Sequence, residues 1–513
     1  MSKAIMLQGT SSHVGKSILA TALCRIFRQD GHRVAPFKAQ NMALNSYVTK
    51  SGGEMGRAQV AQAEAAGLEP AVEMNPVLLK PTGNASSQVV VLGRPVGNMS
   101  ASQYHAGYSR ELLAVVEKSL RSLQTAYDVV VIEGAGSPAE VNLKANDIVN
   151  MRIAKLAPAP VLLIADIDRG GALASIVGTL ELLEPDERDL VKGIIINKFR
   201  GDIALLRPAV DFLAARTGKP VVGVIPHLDD LGIDDEDSVS LDDKRQSRAG
   251  EGGGQADIDI AVLRLPKISN FTDFTALAGE PGVAVRYVAA GQQLGAPDLV
   301  ILPGSKNTTE DLLWLRAQGF DRAIARLAAA GVPVVGICGG YQMLGREVRD
   351  PDHTESANDR VDGLGLLDAV TTFAADKITH QVAAACDASP FLSLGFTAGD
   401  LAGYEIHMGR TEFLTPVTPA FTITARSGGH VRECDGAVRD DGLVMGTYIH
   451  GIFDNDAFRR AVIGALRARK GLAPLAAGTD TRSHKERSYD RLAAHVRAHL
   501  DMDLIYRILG APC

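Results

Sequence analysis

The chain has 513 residues, 46% hydrophobic and 22% charged, which suits a large buried core and a length of about two to four domains. Its net charge of −7 excludes a basic field for nonspecific nucleic-acid binding. Five scattered cysteines (Cys24, Cys338, Cys386, Cys434 and Cys513), no basic-then-apolar leader and no run of ~18 apolar residues make the expectation a cytoplasmic, reduced protein without a membrane span.

The first predicted element is a strand over 5–8. It runs into Gly9-Thr10-Ser11-Ser12-His13-Val14-Gly15-Lys16-Ser17 and then a helix over 18–28. Strand, glycine loop, Gly-Lys-Ser and helix in that order read as a phosphate-binding loop. The glycines let backbone amides wrap phosphate oxygens, Lys16 reaches the β and γ positions, and Ser17 is placed to ligate Mg²⁺. The helix turns its positive end to the anion. Gly9, Thr10, Gly15, Lys16 and Ser17 are therefore the nucleotide candidates, with ATP and Mg²⁺ the implied cofactors. Five residues separate Gly9 from Gly15, one more than in the usual loop.

Further strands follow at 33–37, 129–133, 161–165, 193–197 and 221–225. They are rich in Val and Ile without polar alternation, as strands covered on both faces of a parallel sheet are. Helical segments between them make this a doubly wound α/β domain, in which ligands gather at the C-terminal strand ends. Polar residues stand at those ends. Glu133, in Glu133-Gly134-Ala135-Gly136, suits a Mg²⁺ beside phosphates. Lys38, in Phe37-Lys38-Ala39-Gln40-Asn41, adds positive charge at a transferring phosphoryl group, with Asn41 a candidate substrate contact. Asp166 and Asp168, in Asp166-Ile167-Asp168-Arg169-Gly170-Gly171, are candidates to hold metal, to orient substrate, or to cap the next helix. Asp147 is a polar candidate without a spacing argument. Asn197 either faces the nucleotide base or sits in an interior turn.

Past residue 229 the character changes. Asp234-Asp235-Glu236-Asp237 and Gly250-Glu251-Gly252-Gly253-Gly254 read as a solvated linker. The domains are accordingly a P-loop synthetase domain over 1–233, a linker over 234–257, and a second α/β domain over 258–513. Strands of the second domain are expected at 260–265, 284–288, 299–302, 334–337 and 444–449. Residues 487–509 carry apolar residues at helical spacing and are expected to pack back on the second domain.

In the second domain, Val334-Val335-Gly336-Ile337-Cys338-Gly339-Gly340-Tyr341 is a strand, a sharp glycine-flanked turn and a helix start. That elbow exposes a nucleophile, here a thiol. Glycines permit the strained backbone, and a helix start favours a nucleophilic thiolate. The nucleophile needs a base, and His450, in Gly446-Thr447-Tyr448-Ile449-His450-Gly451, stands at another strand end. Amides of the loop Leu302-Pro303-Gly304-Ser305, together with that of Gly339, are the oxyanion candidates. His407, in Tyr404-Glu405-Ile406-His407-Met408-Gly409, competes weakly for the base role and fits substrate contact better.

The first domain resembles dethiobiotin synthetase, whose loop has the form Gly-Thr-x-x-x-Val-Gly-Lys-Ser/Thr and whose Glu-Gly-Ala-Gly segment matches Glu133–Gly136. The second resembles the class I, triad-type glutamine amidotransferases. Joined in this order, with QGTSSHVGKS, FKAQNMALNS, ADIDRGG, LPGSKNT, GICGGYQMLG and YEIHMGRT, they resemble the cobyric acid synthase family over nearly the whole chain. The resemblance implies an amidoligase of cobalamin biosynthesis that uses ATP, Mg²⁺ and L-glutamine. Its acceptor would be adenosylcobyrinic acid a,c-diamide, amidated at the b, d, e and g carboxylates. Cys338 would release ammonia from glutamine with His450 moving protons, and the first domain would phosphorylate the acceptor carboxylate. Many triad amidotransferases carry a Glu two residues after the His. Ile452 stands there, so no third member is assigned. Rival readings are cobyrinic acid a,c-diamide synthase or another P-loop amidoligase, a partition-type P-loop ATPase scaffold, and a catalytically inactive glutamine-binding regulator. No nucleic-acid or membrane partner is expected.

Overall fold

The structure, a computed structural model, describes residues 3–83, 86–228, 232–233, 256–475 and 478–510. The first large sheet is built from β1 (Lys3–Gly9), β2 (Val34–Phe37), β3 (Val129–Glu133), β4 (Val161–Asp166), β5 (Val191–Phe199) and β6 (Val221–Pro226). Its order is β6-β5-β4-β1-β3-β2, and every pairing is parallel. Strands covered on both faces bury their side chains on both, so the Val/Ile runs disappear into two clusters, one on each side of the sheet. β1 pairs with β4 and β3, while β2 lies at the edge, so the strand order reverses beside β1. A crevice opens at such a switch point. The phosphate loop fills it and leads into helix α1 (Lys16–Gln29).

The second large sheet contains β7 (Ile258–Leu263), β8 (Val283–Val288), β9 (Leu299–Leu302), β10 (Val334–Ile337), β11 (Ala437–Val438) and β12 (Val444–Thr447), in the order β8-β7-β9-β10-β12-β11. It is parallel except for the β11–β12 pair. β10 passes through Cys338 into the short helix α2 (Gly339–Leu344). The doubly wound first domain and the second α/β domain stand as expected. The linker expected over 234–257 lies outside the described residues, apart from 256 and 257.

Two additions escape the apolar-run criterion. A four-stranded sheet (Gln40–Met42, Val77–Pro81, Ser86–Val91 and Arg94–Ser100) and a ribbon (Ser46–Val48 with Glu54–Gly56) elaborate the first domain. Their strands are short or polar, and Arg94–Ser100 is mostly exposed. In the second domain a long antiparallel hairpin, Ala369–Cys386 with Ala398–Phe413, reaches the ribbon. There Gln381 Nε2 donates to Tyr47 Oη (2.7 Å) and to the Val48 carbonyl (2.9 Å).

The C-terminal segment corrects the sequence expectation. Helices α3 (Thr481–His499) and α4 (Met502–Leu509) return to the first domain. Tyr489, Leu492, Val496 and Ile505 share one buried cluster with Ile5, Leu7, Leu19 and Phe27. Arg25 of α1 pairs with Glu486 and Asp490, each at 2.8 Å. Helical spacing states which face of a segment is apolar, not which neighbour that face meets. No helix among the described residues is long and apolar enough to cross a membrane. Replacing Leu492 by Ala is expected to lower stability by about 2–5 kcal/mol. Amide exchange should then accelerate in β1 and α1. Acceleration confined to the second large sheet would contradict this packing.

Candidate active site

At the end of β1, Gly15 has φ 97°, and a Cβ there would lie 2.2 Å from Asn197 Nδ2. Only glycine fits both the left-handed backbone and that approach. Asn197 donates to the Val14 carbonyl at 2.8 Å, so it braces the loop and does not present its amide to a base. The Thr10 amide donates to the Ile164 carbonyl (2.9 Å), tying the loop to β4. Lys16 Nζ lies 3.0 Å from the Ser11 carbonyl and 3.1 Å from that of Gly136, between the phosphate loop and the Glu-Gly-Ala-Gly turn.

Glu133 is the buried hub of this centre. Its Oε1 accepts from Ser17 Oγ and Lys38 Nζ, both at 2.8 Å, and its Oε2 accepts from Gln62 Nε2 at 2.6 Å. Gln59 adds a weaker contact at 3.5 Å and is itself held by Asn41 at 2.8 Å. A hydroxyl and a carboxylate within hydrogen-bond reach fit Mg²⁺, which takes one or two protein oxygens and keeps several waters. Asp166 does not join them. Its carboxylate is occupied by Lys198 Nζ (2.9 Å) and the Asp168 amide (2.9 Å). Among the described residues no three His, Cys, Asp or Glu side chains gather as a metal cluster. Asp147 spends its carboxylate on the amides of Val149 (2.7 Å) and Asn150 (3.1 Å). Asn150 in turn holds the Ala135 carbonyl at 2.7 Å, so Asp147 supports the Glu133 turn from behind. Asp168 is exposed, 3.7 Å from Arg200.

The second centre lies on β10 and β12. Cys338 has φ 49° and ψ −108°, a strained elbow between strand and helix. It is buried, with Sγ 3.6 Å from the Ile406 carbonyl. A Cβ on Gly339 would lie 2.8 Å from the Ser305 amide nitrogen, and one on Gly304 would lie 3.0 Å from His450 Cε1. The loop after β9 is therefore pressed against both the elbow and the base. Gly339 opens α2, so its amide has no helical carbonyl to bond.

His450 is buried, and its Nδ1 lies 2.6 Å from Asp273 Oδ2. Asp273 Oδ1 accepts from the Gly451 amide at 3.1 Å. Burial pulls the imidazolium pKa down, but Asp273, together with Cys338, outweighs it and lifts His450 to about 10. Nε2 is buried and has no partner but the Cys338 thiol, which leaves it for proton exchange with the thiol and its substrate. Tyr404 stacks on the imidazole at 5.2 Å. Asp273 is the residue that sequence reasoning missed. It lies 177 positions before His450, in Asn270-Phe271-Thr272-Asp273, within a short 3-10 helix (Phe271–Phe274) in the connection that follows β7. No local spacing ties Asp273 to His450, so the sequence held no signal for it. Ile452, at the place of the usual glutamate, is a core residue. His407 Nδ1 lies 2.9 Å from the Gly409 carbonyl, its ring stacks on Tyr448 at 3.7 Å, and it lines the Cys338 cavity. The structure thus gathers Cys338, His450, Gly304, Gly339 and His407 at one centre. At the other it gathers Gly9, Gly15, Lys16, Ser17, Lys38, Glu133 and Asn41.

Residues 5–240 match the CobQ/CobB/MinD/ParA nucleotide binding domain family, and residues 259–458 match the CobB/CobQ-like glutamine amidotransferase domain family. A cobyric acid synthase of Pelotomaculum thermopropionicum is 60% identical, covering 100% of this chain and 97% of the relative. One from Moorella thermoacetica is 58% identical, covering 99% and 98%. The solved structure of PurLQS from Thermotoga maritima matches 47% of this chain and 99% of its own at 18% identity with TM-score 0.31.

Asp273→Asn is expected to lower glutamine hydrolysis by about 10²–10⁴-fold, the usual worth of a positioned acid–base group. Because the folded His450 pKa stands above its ordinary 6.5, at about 10, the pair stabilises the fold fully below about pH 6.5 and loses that contribution as pH rises through about 10. The gap in thermal midpoint between the parent and Asp273→Asn should therefore close over that range. A gap that widens with pH would overturn the assignment.

Proposed function

The chain belongs to the cobyric acid synthase family, and we propose that it amidates the b, d, e and g carboxylates of adenosylcobyrinic acid a,c-diamide with nitrogen drawn from glutamine at Cys338. It is an ATP-using, glutamine-dependent amidoligase of cobalamin biosynthesis, and on our reading it works in the cytoplasm. The observation that carries the mechanism is the Cys338–His450–Asp273 arrangement in a chain that also holds the Lys16–Ser17–Glu133–Lys38 centre.

In the amidotransferase site, the Cys338 thiol gives its proton to His450 Nε2 as Sγ forms a bond to the glutamine amide carbon, while amides near Gly304 and Gly339 take the developing oxyanion. The carbon–nitrogen bond breaks as His450 Nε2 passes its proton to the departing nitrogen, and ammonia leaves. Water, deprotonated by the same nitrogen, then cleaves the thioester to glutamate. Asp273 fixes the tautomer and steadies the imidazolium. In the first domain, Lys16 and Lys38 balance charge on the γ-phosphoryl group of ATP as an acceptor carboxylate oxygen bonds to its phosphorus, the bond to the β–γ bridging oxygen breaks and ADP leaves. Mg²⁺, when bound by Ser17 and Glu133, supplies further neutralisation of the phosphates. Ammonia displaces phosphate from the acyl phosphate and leaves the amide.

Mass spectrometry of the corrinoid after incubation with ATP, Mg²⁺ and glutamine tests the reading. Four successive acid-to-amide steps are expected. Two steps starting from cobyrinic acid would instead assign the chain to a,c-diamide synthesis. Cys338→Ala should lose synthesis from glutamine and keep synthesis from ammonia, whereas Lys16→Ala should lose both. Full ammonia-dependent activity in Lys16→Ala would remove the phosphate loop from the mechanism.

A further inference from the structure

The Cys338 cavity holds more charge than the mechanism uses. Lys80, Lys306, Lys377 and Glu355 line it with the nucleophile. Lys80 and Lys377 both pair with the buried Glu54. Lys306 has no such match: among the described residues no carboxylate lies within 4 Å of its Nζ. Glu355 is equally short of a cation, and its carboxylate takes a hydrogen bond from the Thr308 amide at 3.0 Å. Burial pushes the Glu355 carboxyl up to about 7 against the pull of Lys306, and burial also lowers Lys306. Each group is left undercompensated, the state that a ligand of opposite charge relieves. The same two residues line an adjoining open cleft with Thr82, Ser86 and Asn98 of the first domain, so they stand between the domain seam and the thiol.

A cation and an anion, both without a strong partner and facing one cavity, complement a zwitterion. A dicarboxylate or a phosphate would meet Glu355 as a like charge. We infer that Glu355 and Lys306 are the specificity-determining residues for glutamine, Glu355 receiving its α-ammonium and Lys306 its α-carboxylate while the side-chain amide reaches Cys338. This rests on glutamine being the nitrogen donor, as proposed above.

The test is steady-state hydrolysis by the full chain of three compounds: L-glutamine, 5-amino-5-oxopentanoate (which lacks the α-ammonium), and L-glutaminamide (which lacks the α-carboxylate charge). Glu355→Gln should raise KM for glutamine by about 10- to 100-fold, the usual worth of a hydrogen bond to a charged group, with kcat nearly unchanged. It should also erase the preference for glutamine over 5-amino-5-oxopentanoate. Lys306→Gln should erase the preference over L-glutaminamide and leave the other preference in place. Ammonia-dependent amidation, which bypasses this cavity, reports whether each variant is folded. Parental selectivity ratios in both variants would overturn the inference while leaving the amidoligase reading intact. A parent protein that hydrolyses none of the three would sink both.

Discussion

A carboxylate buried at the end of β3 needs partners, and much of the molecule is arranged to supply them. An isolated charge in that position would be prohibitively costly, so Glu133 is surrounded by an ammonium, a hydroxyl and two amides. Those partners are committed in turn. Asn41 holds Gln59, and Asn75 holds the Lys38 carbonyl at 3.2 Å. The segment that delivers Lys38 and Asn41 continues to Asn45 and Ser46, which face the second domain. Asn270 Nδ2 donates to the Ser46 carbonyl and to Tyr404 Oη, both at 2.8 Å, and Thr272 reaches Asn45 at 3.2 Å. The next residue, Asp273, holds His450. One stretch of chain therefore begins at the phosphate centre and ends against the residues that orient the base.

The seam between the domains is specified by charge as well as shape. Lys377, on the long hairpin of the second domain, meets Glu54 of the first at 2.6 Å, with Lys80 on the other side of the same carboxylate. Burial alone would raise the Glu54 pKa, but the two lysines prevail and hold it well below the usual carboxylate range. Such a buried set contributes little net stability compared with an apolar replacement. It does penalise misdocking, because any shift that separates Lys377 from Glu54 strands a charge in the interior. The register of the two domains is thereby fixed where the Cys338 cavity meets the first domain.

The large parallel sheets and both reactive centres were legible because local pattern determines them. Glycine spacing around Lys16 and around Cys338 has few structural solutions, and uninterrupted Val/Ile runs have few places to go. Asp273 was not legible for a different reason. The usual orienting carboxylate follows the histidine closely, whereas this one lies in the connection after β7, brought to His450 only by the β7-β9-β10-β12 order. Asn197 and Asp147 were recognised as notable polar residues, yet their amide and carboxylate are consumed in shaping the turns that bear Lys16 and Glu133. A sequence marks a polar residue near a site and does not say whether it points at the ligand or at the backbone. The C-terminal helices make the same point for apolar residues: periodicity supplied the face, and the partner lay in the first domain, with the whole second α/β sheet between them in sequence.

That return of the chain bears on how the two centres stay in register. α3 follows directly from the second domain, where Arg459 bonds to Glu280 at 2.7 Å and to the Thr479 carbonyl at 2.6 Å. It then lies along α1, the helix that opens at Lys16. The second domain is thus joined to the first at two remote places, through the Asn45–Ser46 seam near the reactive groups and through α3 behind the phosphate loop. A body held at one contact can still rotate about it, whereas one held at two separated contacts cannot do so without breaking one of them. On the proposed mechanism, ammonia released at Cys338 is useful only if it arrives unprotonated at an activated carboxylate, which demands a constant geometry between the centres. The doubled attachment provides that constancy without requiring any single contact to be strong.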